Sequence, residues 1–580
     1  MRPVLLLAIA LSLAVSTAGA AAPPHEAVAG TGVSAGLCVL LGGDGEQAVA
    51  LCNQGQQGQM LVHALATDEQ ACDRARRVVA EAGRYGFASV GTWRGPGRLP
   101  YADNLVNLLV ADCDALGKAA PTEEEIVRVL VPGRGAAWLK RQGKWAAVRK
   151  PMPKALDGWE QYWHDATGNP VSRDEAVKPS TGLQWITGSQ QEADDNGYRL
   201  SGGRLAYKRR VRNPKGDRPA AQLVCRDAFN GLPCWTRDMT QAGAFVSPMM
   251  GKLTPFVFTG DRIYTSIGIE GEPLVAFDAA TGETVRTYDQ AGASLARNDA
   301  RSEPFRKAGF RGGAFMSGNL VVHDGLLIHA VGNELFVVDA ATGAVKWQFK
   351  ADDYLLLQKP TVNPDDAELY IVGCNKEETA RAMGGGRNPG HRAAAVLAFD
   401  LRSGGRKWTT PIDDRHITHA VYGERTLVAY SAQDNGPGAD EWIFGAIDTT
   451  NGTFRWRHAA ENRGWGGMSQ RREAVIRDGK LYLLSHGMTV FDLKSGEMLR
   501  NFSTANSRCE TSKATANYLV MAFSQFIDYK ADPPRAMRAA LSRGSCGSGF
   551  FPAYGLVHYL PNMCHCENGL RFHSTASSEP

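Results

Sequence analysis

The stretch Ala276–Phe277–Asp278–Ala279–Ala280–Thr281–Gly282–Glu283 is one of six related copies along the chain. In every copy an Asp is followed four residues later by a Gly. Eight residues after the Asp stands a Trp or, in two copies, an Arg (Arg286 and Arg500). The repeated positions are Asp227, Gly231, Trp235, Asp278, Gly282, Asp339, Gly343, Trp347, Asp400, Gly404, Trp408, Asp448, Gly452, Trp456, Asp492 and Gly496. Successive copies lie 44 to 61 residues apart, and such a period predicts an array of similar structural units.

Each copy has the chemistry of a β-hairpin. The Asp carboxylate can accept hydrogen bonds from backbone N–H groups two and three residues on, and the Gly supplies the positive φ of a tight loop. The Trp on the next strand offers a flat apolar surface to a neighbouring sheet. Because one hairpin cannot bury that surface, the copies predict stacked four-stranded blades. We expect an all-β propeller over residues 183–575 with seven or eight blades, eight preferred, closed by a strand from each end.

The first twenty residues are typical of a secretory signal peptide. Arg2 precedes the apolar run Val4–Val15, and Ala18–Gly19–Ala20 is a small-residue cleavage site. No later stretch is long and apolar enough to span a bilayer, so we expect a periplasmic or secreted protein with no membrane span after cleavage. The net charge of +4 gives no argument for nucleic-acid binding. The 11 cysteines predict disulfides in that compartment, with at least one thiol left free or paired with another chain.

Residues 30–150 have a different pattern, in which apolar strands alternate with helices as in an α/β fold with a parallel sheet. The stretches Leu41–Gly45, Leu99–Val106 and Arg128–Gly133 resemble the class I, Rossmann-like methyltransferases that use S-adenosylmethionine. The resemblance implies a cofactor site at Gly42, Gly43, Gly45 and Asp68. The chain departs from the family because Ala66 stands where the ribose-binding acid is expected, and the glycine spacing differs by one residue. We therefore predict a degenerate methyltransferase-like domain with a structural or partner-binding role.

Residues 151–182 join the two predicted domains, and we interpret them as a linker because they begin with Pro151–Met152–Pro153. A dense aromatic and polar cluster follows, formed by Trp159, Tyr162, Trp163, His164 and Asp165. The cluster has two interpretations, a lip beside a binding site or a packing plug between domains, and the plug is preferred.

The propeller repeat resembles that of the quinoprotein alcohol dehydrogenases, which use pyrroloquinoline quinone (PQQ), and that of non-catalytic outer-membrane assembly scaffolds. In the dehydrogenases an adjacent Cys–Cys pair lies over the quinone, and Glu, Asn and Asp side chains hold a calcium ion. This chain has no adjacent Cys pair, and no calcium-like ligand spacing stands out. We therefore favour an exported binding or scaffold protein with no catalytic residue and no cofactor, whose partner is an envelope protein or a polysaccharide.

Two enzymatic alternatives stay open. The first is an envelope alcohol or sugar dehydrogenase that uses PQQ with calcium, and the second is methyl transfer by the N-terminal domain. A cluster of carboxylates converging on the propeller axis would favour the dehydrogenase.

Two further motifs also have alternative interpretations. Cys564–His565–Cys566 offers ligands for zinc or copper, but disulfides from this pair to Cys509 or Cys546 suit an exported chain better. The stretch Gly384–Arg392 is a basic insertion in the fourth copy. It either contacts an acidic ligand or is a solvated loop, and the solvated loop is preferred.

Overall fold

The computed structural model contains two compact units that divide between Met152 and Pro153. The described residues are 26–55, 59–188, 197–211, 220–239, 256–266, 274–288, 320–331, 333–356, 359–375, 393–412, 419–430, 441–461, 473–484, 487–503, 511–521, 525–539, 542, 544, 549–561 and 570–578.

The first unit is an α/β fold, as the sequence predicts. Its six-stranded sheet has the order β3-β2-β1-β4-β5-β6, and every neighbouring pair is parallel except the hairpin of β5 and β6. The strands are β1 (Gly36–Leu41), β2 (Met60–Ala66), β3 (Ala88–Thr92), β4 (Leu108–Asp112), β5 (Ala136–Arg141) and β6 (Lys144–Arg149). The helices are α1 (Ala27–Thr31), α2 (Gly45–Gln54), α3 (Glu69–Glu81), α4 (Cys113–Leu116) and α5 (Glu123–Val129), with a 3₁₀ turn at Gly117–Ala119.

The apolar runs of this sheet are buried on both faces, which explains why the central strands do not alternate in polarity. Cys38, Cys52 and Cys72 lie in the core on one face, and Cys113 begins α4. All four are free thiols, and burial raises the pKa of Cys38 and Cys52. Disulfides, which the sequence suggests for an exported chain, do not join these four cysteines.

The second unit is a propeller of eight blades, each built on a four-stranded antiparallel path, so the preferred blade number is confirmed. Blades 1 to 4 are β8 (Arg199–Ser201), β9 (Arg204–Val211), β10 (Ala220–Asp227) and β11 (Pro233–Met239); β12 (Phe256–Thr259), β13 (Arg262–Ser266), β14 (Leu274–Asp278) and β15 (Thr284–Thr287); β16 (Leu320–His323), β17 (Leu326–Val331), β18 (Glu334–Asp339) and β19 (Val345–Lys350); and β20 (Tyr354–Leu355) with β21 (Thr361–Asn363), β22 (Glu368–Asn375), β23 (Ala393–Asp400) and β24 (Arg406–Pro411). In blade 4, β20 and β21 both pair with β22.

Blades 5 to 8 continue the series. They are β25 (His419–Gly423), β26 (Thr426–Tyr430), β27 (Glu441–Ile447) and β28 (Phe454–Glu461); β29 (Glu473–Arg477), β30 (Lys480–Leu484), β31 (Gly487–Asp492) and β32 (Met498–Ser503); β33 (Lys513–Ala514), β34 (Tyr518–Met521), β35 (Gln525–Asp528) and β36 (Arg535–Arg538); and β37 (Phe550–Ala553), β38 (Leu556–Tyr559), β39 (His573–Ser577) and β7 (Gly182–Thr187).

Blade 8 closes the ring with strands from both ends of the propeller. Its outer strand β7 precedes blade 1 in the chain and pairs with β39, close to the C-terminus. The innermost strands of successive blades are neighbours around the axis, in the series β8, β12 and β16 and in the series β21, β25, β29, β33 and β37; in blade 4 this strand is β21. Apolar clusters fill the spaces between blades, such as the one joining Val257 and Leu274 of blade 2 to Leu327 and Phe336 of blade 3. Closure leaves no unpaired end blade.

Among the described residues, no helix has both the length and the apolar character needed to cross a membrane.

Candidate functional site

Residues 157–174, which we call the axial belt, run around the propeller axis beside the innermost strands. The belt contacts the blades in order: Asp157 O with Tyr554 N (blade 8), Trp159 with Leu200 (blade 1), Glu160 O with Phe258 N (blade 2), the Gln161 side chain with Val322 (blade 3), Ala166 O with Val362 N (blade 4), Thr167 O with Tyr422 N (blade 5), the Asn169 side chain with Ile476 (blade 6), and Pro170 O and Ser172 N with Ala514 (blade 7). One short segment therefore makes a complete circuit of the ring.

Asp174 closes the circuit. Its side chain is fully buried, and one oxygen accepts the N–H groups of Asp157, where the belt begins, and of Gly555 in blade 8, at 3.1 and 3.0 Å. The other oxygen accepts the N–H groups of Ala176 and Val177. Gly158 allows the backbone to come close to blade 1, because a Cβ there would lie 2.5 Å from Leu200 O. Most residues interpreted from sequence as a linker thus belong to the propeller's own hydrogen-bond network.

An ionic triad lies within the belt. His164 Nε2 is 3.0 Å from Asp157 Oδ2, and His164 Nδ1 is 3.3 Å from Asp165 Oδ2. Burial alone would lower the pKa of His164, but the two carboxylates raise it to about 9. Burial would also raise the pKa of Asp157, yet His164 and the Arg173 N–H hold it well below its usual range. A pKa of about 9 favours an imidazolium at neutral pH, hydrogen-bonded to Asp157 and in ionic contact with Asp165.

Aromatic rings of the belt lie against cations from the inner strands. The tight turn Gln161–His164 carries Tyr162 and Trp163 at its tip. The Arg199 guanidinium of blade 1 lies 5.6 Å from the Tyr162 ring centroid, and Lys513 Nζ of blade 7 lies 5.6 Å from that of Trp159. These distances are those of cation–π contacts.

Lys359 adds a third basic side chain, just before β21 of blade 4. Its Nζ donates to Asp165 O at 3.1 Å. Burial lowers the pKa of Lys359 to about 7, against the attraction of Asp165 and with a further lowering from Arg199. The described part of the axis is thus aromatic and partly cationic, with its carboxylates already bound within the belt.

The carboxylate cluster that would favour a PQQ dehydrogenase is not present among the described residues. No group of three or more His, Cys, Asp or Glu side chains there could hold a metal ion. The belt carboxylates of Asp157, Asp165 and Asp174 accept hydrogen bonds from the belt itself, and that of Glu160 accepts one from Ser201 of blade 1. The residues described on the axis therefore do not fit calcium together with the quinone.

The repeated Asp, Gly and Trp residues form a contact between blades, which we call the blade latch. In blade 2, Asp278 Oδ1 accepts the N–H groups of Ala280 and Thr281, and Gly282 has φ 72°. Trp235 of blade 1 packs on that Gly, where a Cβ would lie 2.6 Å from the indole, and donates to Ala279 O at 3.0 Å. Trp347, Trp408 and Trp456 make the same indole-to-carbonyl bond to the next blade.

Two latches lack the Trp, and the structure shows what replaces it. Arg286 donates to Thr342 O, and Tyr288, two residues on, donates to Ala340 O at 2.6 Å. Arg500 of blade 6 pairs with Asp532 of blade 7. Trp185 on the closing strand β7 supplies a further latch from blade 8 to blade 1, since it donates to Ala228 O and packs on Gly231.

In the first unit, the residues that the methyltransferase resemblance points to serve the local fold. A Cβ on Gly43 would meet the Leu40 side chain at 2.3 Å, and one on Gly45 would meet Ala75 O at 2.6 Å, so both glycines permit close packing. Asp68 caps α3 by accepting the Ala71 N–H. Ala66, where the family has its acid, is buried at the end of β2. This set does not supply the ribose-binding acid that S-adenosylmethionine requires in that family.

Some sequence hypotheses lie outside the described residues, namely those on Cys564, His565, Cys566, Cys509, Cys546 and the insertion at 384–392. The roles of Gln161, Asn169, Asp174 and Lys359 are not predicted by any pattern in the sequence. The one available signal was the density of polar and aromatic residues after Trp159, which gave no indication of a circuit.

Comparisons with known proteins agree with the propeller. Residues 164–353, which include part of the belt and blades 1 to 3, match the family model PQQ_2, described as outer membrane protein assembly factor BamB. No match to the chain was found among curated proteins.

Three solved structures are similar to parts of the chain at low identity. The computationally designed Ika8 protein is 11% identical over 68% of this chain and 100% of its own, with a TM-score of 0.41. A Methanococcus maripaludis protein described as an S-adenosyl-L-methionine-dependent methyltransferase is 22% identical over 20% of this chain and 53% of its own, with a TM-score of 0.17. The cyclase SpnF is 20% identical over 20% of this chain and 43% of its own, with a TM-score of 0.18. At these TM-scores the three carry no functional argument.

Proposed function

We propose that the chain is an exported, non-catalytic binding or scaffold protein of the cell envelope, with the propeller as its binding platform. The observation that carries the proposal is the axial belt. Asp157 and Asp165 bridge His164, and Asp174 accepts four backbone N–H groups. Asp174 thus joins the belt to blade 8, and the carboxylates of Asp157 and Asp165 are engaged within the belt itself.

Two independent observations support the envelope location and the type of partner. The apolar run Val4–Val15 and the site Ala18–Gly19–Ala20 are those of an export signal. The matching family model is described by an outer-membrane assembly factor. An envelope protein is therefore the first partner class to test, followed by a polysaccharide, and the platform needs no cofactor.

A PQQ-dependent dehydrogenase is the second candidate, and one observation favours it. Trp163 lies at the tip of the belt turn, with Arg199 and Lys359 also near the axis. A planar anionic ligand such as the quinone could stack on the indole and pair with the cations. A calcium site would still need carboxylates beyond those that hold the belt.

Calorimetric titration of the mature chain with PQQ, with and without calcium, separates the two functions. We expect no saturable heat with either form of the titrant, since the axial carboxylates are engaged. Trp163→Ala and, as a matched control in the other unit, Trp145→Ala should behave like the unmodified chain. Calcium-dependent saturation that is lost in Trp163→Ala and kept in Trp145→Ala would overturn the scaffold proposal and justify alcohols and sugars as substrates.

A further inference from the structure

The first unit has a place where α/β sheets of this kind bind ligands. Strands β1 and β4 are neighbours at the centre of the sheet, and the connections leave them in opposite directions. In open parallel sheets, ligands bind at the carboxyl ends of the strands at such a topological switch point. The Gly42 turn follows β1 at this position, and Asp112 ends β4.

The segment that follows β4 is tied down across this edge. We call residues 113–119, which comprise α4 and the 3₁₀ turn, the edge strap. Asp112 caps α4 through the Ala115 N–H and pairs with Lys140 Nζ at 3.0 Å. Asp114 accepts the N–H groups of Gln142 and Gly143, both at 2.8 Å, from the turn between β5 and β6. The strap is thus fixed to the neighbouring hairpin by both oxygens of one carboxylate.

The strap reaches the turns that follow two other strands. A Cβ on Gly42 would lie 2.9 Å from Leu116 Cδ2, and one on Gly95, beyond β3, would lie 2.7 Å from Ala119 O. Leu116 also packs on the apolar core beneath the sheet edge. The space beside Gly42 is therefore occupied by a leucine side chain of the same chain.

The polar groups of this edge are engaged as well. Asp44 and Gln47 form a reciprocal capping box at the start of α2, so the N-terminus of that helix already holds a carboxylate. Asp68 caps α3 in the same way. We infer that the edge strap is the internal occupant of this crevice, and that the first unit takes no S-adenosylmethionine or similar nucleoside ligand there.

A double-mutant cycle tests the contact between Leu116 and Gly42 in the full chain. Gly42→Ala is made with Leu116 and with Leu116→Ala, and hydrogen exchange of the β1 amides reports the opening equilibrium. We expect Gly42→Ala to increase opening about tenfold more when Leu116 is present, because the added methyl group meets its side chain. The backbone strain at φ 69° is common to both backgrounds and cancels. Gly83→Ala is the matched control, since its φ is 65° and nothing lies within 4 Å of the added carbon.

A ligand titration completes the test. Neither S-adenosylmethionine nor S-adenosylhomocysteine at millimolar concentration should protect the β1 and β2 amides of the unmodified chain from exchange. Saturable protection, or a cycle in which Gly42→Ala has equal effects in the two backgrounds, would overturn the inference. Both readouts concern the first unit. A result that contradicts the edge-strap inference therefore does not change the PQQ titration of the propeller, and a positive PQQ titration does not change the edge-strap result.

Discussion

His164 shows how a single residue holds the belt in place. Its φ of 78° lies in the left-handed region, where a residue other than Gly carries some backbone strain. Compensation for this strain comes from Asp157 and Asp165 on either side of the imidazole and from the Trp159 ring, whose centroid is 5.2 Å away. The strained backbone is thus stabilised by charge, and its stability must depend on pH.

The raised pKa of His164 gives that dependence a definite sign. The unfolded value is 6.5 and the folded value about 9, so the stabilisation is complete below pH 6.5 and is lost as pH rises through 9. We expect the unfolding free energies of the unmodified chain and of His164→Gln to differ most near pH 6. By pH 10 the difference should shrink by about 3 kcal/mol. Urea unfolding of the propeller at each pH measures it.

Lys359 needs a control, because its lowered pKa places its titration in the same range. Its effect has the opposite sign, since a depressed lysine pKa gives stability that grows as pH rises. The comparison is therefore repeated with Lys359→Met in both chains. A difference between the His164 variants that does not change with pH would mean that the imidazole is neutral and the ionic triad is absent.

At the scale of structural elements, the blade latch explains why the repeat is visible in the sequence. Most latches combine the Asp turn, a Gly with room for an indole, and a Trp on the preceding blade. These requirements are local and recur at fixed offsets, so sequence alone predicts the blades, their period and the closure of the ring.

The belt and the edge strap could not be predicted in this way, because their partners are distant and do not repeat. Asn169 bonds to Ile476 across 307 positions of the chain, and Asp174 to Gly555 across 381. The replacement of the Trp by Tyr288 could not be predicted for a similar reason. Tyr288 lies two residues after the position of the Trp, and only the fold shows that its hydroxyl bonds to Ala340 O. Sequence patterns report periodic local chemistry and miss single long-range contacts.

Substitutions at equivalent latch positions should differ in cost. Trp235 is fully buried, so Trp235→Ala should lower the unfolding free energy of the propeller by about 3–5 kcal/mol. Trp235→Phe should cost about 1–3 kcal/mol, because Ala279 O loses the indole N–H and keeps only the long contact from Cys225 Sγ at 3.9 Å. Arg286→Ala, at the same position of the next copy, is the control and should cost about 0.5–1 kcal/mol, since its bond to Thr342 O is exposed. Equal costs at Trp235 and Arg286, measured by urea unfolding, would show that the indole does not join the blades.

For the whole molecule, two different closures depend on the residues that precede blade 1. Strand β7 completes blade 8 at the outside of the ring, and the belt joins all eight blades at the inside. Both elements come before the repeats in the sequence and contact blades that are formed from the end of the chain. The ring should therefore unfold as one cooperative unit, in contrast to an open array that can lose its terminal repeats.

Three fragments separate the contributions of the belt and of β7 to stability. We expect each successive truncation to be less stable than the one before it. Residues 153–580 keep both closures and should unfold with the same midpoint as the propeller of the full chain, because the division between the units lies at Met152. Residues 176–580 keep β7 but lose the belt, so their midpoint should fall. Residues 189–580 lose β7 as well, which leaves β39 as an unpaired edge prone to association.

A belt peptide distinguishes a specific role of the belt from general damage by truncation. A synthetic peptide of residues 155–178 should raise the midpoint of the 176–580 fragment in a concentration-dependent way, as expected for a ligand that binds only the folded ring. The same peptide with Asp174→Ala is the matched control, since it lacks the carboxylate that joins Asp157 to Gly555. The opposite result would be that neither peptide shifts the midpoint and that the 176–580 fragment is as stable as residues 153–580. The belt would then not stabilise the propeller, and the axis would be available to ligands.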